Sequence, residues 1–119
     1  MRNQLFQSMI EQDTAPVVVC DMNSNIVYMN PSAIRQYHRD LTGCNLKDCH
    51  NEASNRKIDE VLGWFQKSKD NNQVFTYHDP KQNKDVYMVA LRTDAGDLIG
   101  YYEKHEYRTP ERMAPYHLK

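Results

Sequence analysis

The sequence predicts a single α+β domain: one five-stranded antiparallel sheet, helices packed on one of its faces, and a cap helix at the N-terminus. Three observations carry this. The β-rich runs fall into two groups, 16–29 and 73–107, with a helical middle between them, so strands follow strands and do not alternate with helices. Within each group the connections are short turn clusters, Asn23-Ser24-Asn25, Asp79-Pro80-Lys81-Gln82-Asn83 and Asp94-Ala95-Gly96-Asp97, which join neighbouring strands antiparallel. At 119 residues, 39% hydrophobic and 26% charged, the chain has the size and balance of one globular domain.

Each element has its own signal. Leu5, Phe6, Met9 and Ile10 form a narrow apolar stripe on an N-terminal helix, which Asp13 and Thr14 end and Pro16 turns into extended chain. Val17-Val18-Val19-Cys20 is β-branched and continuous, as in a strand central to a sheet. Ile26-Val27-Tyr28-Met29 completes a hairpin with it. Asn30 caps a short helix with Pro31 at its first position and Ala33, Ile34 and Tyr37 on one face. Gly43 stops that segment, and 45–55 is polar and irregular with one or two helical turns. Ser54 or Asn55 is the expected cap of a longer helix carrying Ile58, Val61, Leu62 and Phe65 at helical spacing. Strands at 73–78, 85–92 and 98–107 then form a meander. The tail, with Pro110 and Pro115, reads as a loose end.

This order, with certain residues in it, resembles the PAS family. Pro16-Val17-Val18-Val19-Cys20-Asp21 followed by Asn25-Ile26-Val27-Tyr28-Met29-Asn30-Pro31-Ser32-Ala33 resembles the family's opening strands and first short helix. Leu41-Thr42-Gly43-Cys44-Asn45-Leu46 resembles its "hxGxxl" segment, and Thr93-Asp94-Ala95-Gly96-Asp97-Leu98-Ile99-Gly100 its closing turn and strand. The likeness runs over 14–107, leaving 1–13 as the cap helix and 108–119 as the tail. Leu46-Lys47-Asp48-Cys49-His50-Asn51 resembles a bacterial PAS subgroup with a Cys-His segment before the central helix. The end of the last strand, Glu106-Tyr107, departs from the Asp-Ile pair with which many PAS domains lead into an effector.

Several chemistries are excluded or weakened by residue type and spacing. A net charge of −1 without a run of like charges offers nucleic acid no electrostatic footprint. No apolar run reaches the roughly 18 residues of a membrane span, and the N-terminus lacks the apolar core of a signal peptide. Three cysteines without a secretory signal read as reduced thiols in the cytoplasm. Cys44, Cys49 and His50 do not have structural zinc spacing. Adjacent side chains such as Cys49 and His50 point apart and make a poor nucleophile–base pair. A flavin photosensor needs its cysteine directly after the Asn of a "GxNC" motif, and here Asn45 is followed by Leu46. Haem stays open as a cofactor, with His50 or His78 as axial ligand. No phosphate loop or hydrolase motif is present, so no enzymatic activity is expected.

The resemblance implies a sensory or regulatory domain that binds a small molecule or a protein and transmits a shape change. The residues expected to line the cavity are Met29, Tyr37, Cys49, His50, Leu62, Tyr87 and Val89. Cys49 and His50 would be the polar groups that fix a ligand in a mainly apolar pocket. The stripe Leu5, Phe6, Met9 and Ile10 either folds back on its own sheet or forms the interface of a homodimer. The alternative reading is a ligand-free homodimerising interaction module, and a third is a haem or metal protein centred on His50.

Overall fold

The computed structural model describes residues 1–118. Helix α1 (Arg2–Glu11) leads into strands β1 (Val17–Asp21) and β2 (Ile26–Met29). Helix α2 (Pro31–Tyr37), a 3-10 turn at Leu46–Cys49 and helix α3 (Glu52–Lys67) follow. Strands β3 (Gln73–Asp79), β4 (Lys84–Arg92) and β5 (Leu98–Tyr107) complete the chain's regular elements. The strands form one antiparallel sheet in the order β2-β1-β5-β4-β3. The last strand therefore runs through the centre, between the first and the fourth.

The helical middle packs on one face of this sheet. The inward phase of β1 supplies Val18 and Cys20, β4 supplies Val86 and Met88, and β5 supplies Tyr101, each 3% exposed or less. Helix α3 answers with Ile58, Val61, Leu62 and Phe65, all buried. Each of these side chains stabilises the fold by about 1.5–3 kcal/mol through burial. Helix α3 begins earlier than Ser54 or Asn55. Asn51 is its cap, accepting from the Ser54 N–H at 2.8 Å, because the helix can extend back over polar residues once a side-chain oxygen satisfies its first turn. At the other end, Arg92 of β4 donates to the carbonyls of Phe65, Ser68 and Asn71 and so pins the C-terminal end of α3 to the sheet.

Helix α1 stands apart from this core. None of its residues is buried, and Leu5, Phe6 and Met9 are all more than half exposed. Its C-terminal end is nevertheless fastened. The side chain of Asn30, itself fully buried, donates to the carbonyls of Ile10 and Ala15 and accepts from the N–H groups of Val17 and Ala33.

Candidate functional site

Between α2, α3 and the inward face of β3–β5 lies a cavity of about 270 Å³. Its apolar wall is Ile58, Val86 and Met88. Its polar groups come from three strands, from α2 and α3, and from the residue that follows the 3-10 turn: Tyr37, His50, Lys57, Tyr77, Asp79, Lys84, Glu103 and His105.

The backbone explains why these side chains meet. On β4, Lys84, Val86 and Met88 share one phase of the pleat. On β5, Tyr101, Glu103 and His105 share the matching phase, and the register sets Val86 opposite His105 and Met88 opposite Glu103. Strand β3 has a bulge between Phe75 and Tyr77, which places Tyr77 opposite Val86 and so at the cavity wall. His50 arrives from the helix side. It ends the 3-10 turn in an extended conformation, just before Asn51 starts α3.

The site is electrostatically uneven. His50 Nε2 lies 3.8 Å from a carboxylate oxygen of Glu103, and that carboxylate raises the pKa of His50 against the opposing effect of burial. Burial pushes the Tyr37 phenol upward and the Lys84 ammonium downward. His105 is pushed down to about 4, first by burial and then by the nearby charge of Lys84. Its Nδ1 is buried without a hydrogen-bond partner.

A pH dependence follows from the two histidines. A folded-state pKa of about 4 for His105 against 6.5 means the unfolded chain takes up a proton that the folded chain refuses. Stability is therefore lost as pH falls from 6.5 towards 4. His50 acts oppositely: its raised pKa contributes stability present below 6.5 and lost as pH rises through the folded value. The carboxylates held low by hydrogen bonds, such as Asp85 with Arg108 and His78, contribute stability that disappears only further into acid, around and below 3.8. For a shift of that size the expected loss is roughly 2–3 kcal/mol across that window. His105→Gln should flatten urea-denaturation stability between pH 6.5 and 4, and an unchanged slope in that variant would contradict the assignment.

The expected lining residues divide. Tyr37 and His50 line the cavity. Met29 and Leu62 belong to the packed core beside it, and Cys49 is an exposed free thiol. Tyr87 and Val89 do not line it: they project from the opposite face of β4, where the Tyr87 ring stacks on Phe75 with centroids 5.4 Å apart. The physical reason is the period of two, which makes Val86 and Met88 the inward pair. Residue type alone did not point to Lys84, Glu103 and His105. The signal available for them was phase, since Lys84 lies two residues from the core position Val86, and Glu103 and His105 lie two and four residues from the core position Tyr101.

No group of three or more His, Cys, Asp and Glu side chains among the described residues is arranged to hold a metal ion. No helix among them is long and apolar enough to cross a membrane. Cys20 is a buried thiol, pushed up to about 12 by burial, and so poorly nucleophilic.

No family profile matches the sequence, and no curated protein matches it. Solved structures do. A PAS domain from Colwellia psychrerythraea superposes with a TM-score of 0.68 at 11% identity, covering 90% of this chain and 97% of that one. This is the PAS fold. A C-terminal domain from Streptococcus mutans matches with a TM-score of 0.67 at 19% identity over 88% of this chain and 84% of that one. A sensory box sensor histidine kinase from Vibrio cholerae matches with a TM-score of 0.59 at 10% identity, over 88% and 87%. The likeness is to PAS domains at large and does not reach a subgroup marked by a Cys-His segment.

Proposed function

We propose that this PAS-fold chain is a sensory or regulatory domain without catalytic activity of its own, and that a small molecule in the helix–sheet cavity is its input. The observation that carries this reading is the set of ionisable groups lining the cavity, Glu103 with His50 on one side and Lys84 with His105 on the other. A core that only had to fold would fill this space with apolar side chains, because burying such groups costs free energy. The comparison with a structure named as a sensor histidine kinase agrees in kind.

A ligand would act by favouring one of two packings of the helices on the sheet. Asn30 offers a mechanical link, since it joins the end of α1 to β1 and α2 through one buried side chain. A small metabolite fits better than haem. His50, the proposed axial ligand, already faces Glu103, and a cavity of about 270 Å³ is below the about 300–1,000 Å³ typical of sites for drug-sized ligands.

A second reading is favoured by a different observation. The exposed stripe of Leu5, Phe6 and Met9 lies on α1, and Phe75 and Ile99 are each 56% exposed on the strands. Apolar surface of this kind suits a homodimer. Intact-mass spectrometry separates the two. Extra mass under native spray that vanishes on denaturation supports the ligand sensor. A dimer with no added mass supports the interaction module.

A further inference from the structure

One cationic group lining the cavity has no carboxylate in direct contact with it, although Asp79 and Glu103 act on it from a distance. Lys84 opens β4 in the inward phase and is 2% exposed. Its ammonium makes no hydrogen bond or ion pair among the described residues, and the ring of Tyr107 lies with its centroid 5.7 Å away. The other charged lining groups are engaged. Glu103 faces His50, Lys57 donates to the Thr76 carbonyl at 3.3 Å, and Asp79 accepts from the N–H groups of Lys81 and Gln82. His105, a diagonal neighbour of Lys84 across the β4–β5 ladder, holds its buried Nδ1 free. Burial of the Lys84 side chain is only partly offset by the attraction of Asp79 and Glu103, and the unmatched buried nitrogen of His105 asks for an explanation.

We infer that the cavity takes a small organic monocarboxylate, its charge seated against Lys84 and within reach of the His105 ring, and its carbon chain against Ile58, Val86 and Met88. This rests on the reading of the cavity as a ligand site. Charge selects the class. One ammonium without a direct partner matches one carboxylate, whereas a phosphate dianion would bring a second negative charge beside Asp79 and Glu103. No arginine, the usual bidentate partner of phosphate, lines the cavity. Size selects short chains, given the volume of about 270 Å³.

Isothermal titration of the full chain at pH 7 with propionate, butyrate and pyruvate tests this, with propionamide, butyramide and inorganic phosphate as controls. At least one acid should bind saturably, with its amide and phosphate weaker by roughly tenfold or more. Lys84→Met should lose roughly tenfold or more in affinity for that acid, while its ligand-free melting temperature equals or exceeds that of the parent. Lys67→Met, at an exposed position in the last turn of α3 outside the cavity lining, should keep the affinity. An amide that binds as tightly as its acid, or a Lys84→Met chain that keeps its affinity, overturns the carboxylate and leaves the ligand site standing. Absence of saturable binding by any of the three acids also overturns it. If native spray then shows no added mass either, the ligand-site reading falls with it.

Discussion

Replacing Asn30 by alanine is expected to lower the free energy of unfolding by about 4 kcal/mol. The side chain is fully buried and makes four hydrogen bonds, two accepted at 2.9 Å and two donated at 3.0 Å. Its loss orphans the N–H groups of Val17 and Ala33 and the carbonyl of Ala15 in places that water reaches poorly, and it leaves the Ile10 carbonyl with only its backbone partner at the end of α1. Such orphaned groups cost about 1–3 kcal/mol each when they stay dry, and partial rehydration near Ile10 keeps the total below the upper sum. The cap of α2 is lost in the same change, since Asn30 accepts from Ala33. Asn30→Asp should not rescue the protein, because a carboxylate keeps the two accepted bonds and turns the two donated ones into contacts between acceptors. Urea denaturation measures both. A cost under about 1 kcal/mol for either variant would mean that the linkage of α1 to the sheet lies elsewhere. Hydrogen exchange should also show α1 and the 12–16 segment opening faster in the alanine variant.

Gly100→Ala should cost at least about 3 kcal/mol, close to the upper end for inserting one methyl group into a packed site. Gly100 lies in β5 at the centre of the sheet, opposite Asp21 on one side and Leu91 on the other. A Cβ there would collide with the backbone carbonyl oxygen of Cys20. Backbone cannot swing aside as a flexible side chain does, so β1 and β5 must part locally. The usual gain in replacing a strand glycine is roughly 0.5–1 kcal/mol and does not offset that. A neutral or stabilised variant in thermal denaturation would contradict this close approach of the two strands.

Much of the fold was legible because local signals and global order agree. The hairpin around Asn23–Asn25, the cap at Asn30 with Pro31 behind it, and the spacing of Ile58, Val61, Leu62 and Phe65 each follow from neighbours in sequence. The start of α3 was less legible, since Asn51, Ser54 and Asn55 are all competent caps and only the three-dimensional path selects Asn51.

The site was legible in part, for a similar reason. Tyr37 and His50 were marked by chemistry and by position near the central helix, and both line the cavity. Strand β4 misled because Val86-Tyr87-Met88-Val89-Ala90-Leu91 is apolar in both phases, so alternation cannot say which phase faces in. Lys84, Glu103 and His105 were hidden by their type. Charged residues on a strand ordinarily face water, and only the register of β4 with β5 brings these three together under the helices. The pairing of His50 with Glu103 joins residues remote in sequence, and no local pattern encodes it.

The measurement that tests the central claim most directly is a two-dimensional amide spectrum of the full chain titrated with acetate, butyrate, glycine, glycerol and putrescine in turn. Together these sample negative, zwitterionic, neutral and positive ligands. The cavity account predicts saturable shifts from at least one of them, centred on Lys84, Val86, Glu103 and His105, with smaller shifts reaching Asn30 and the end of α1. Spectra that do not move at these residues with any of the five, or shifts confined to α1 and the opposite face of the sheet, would contradict it.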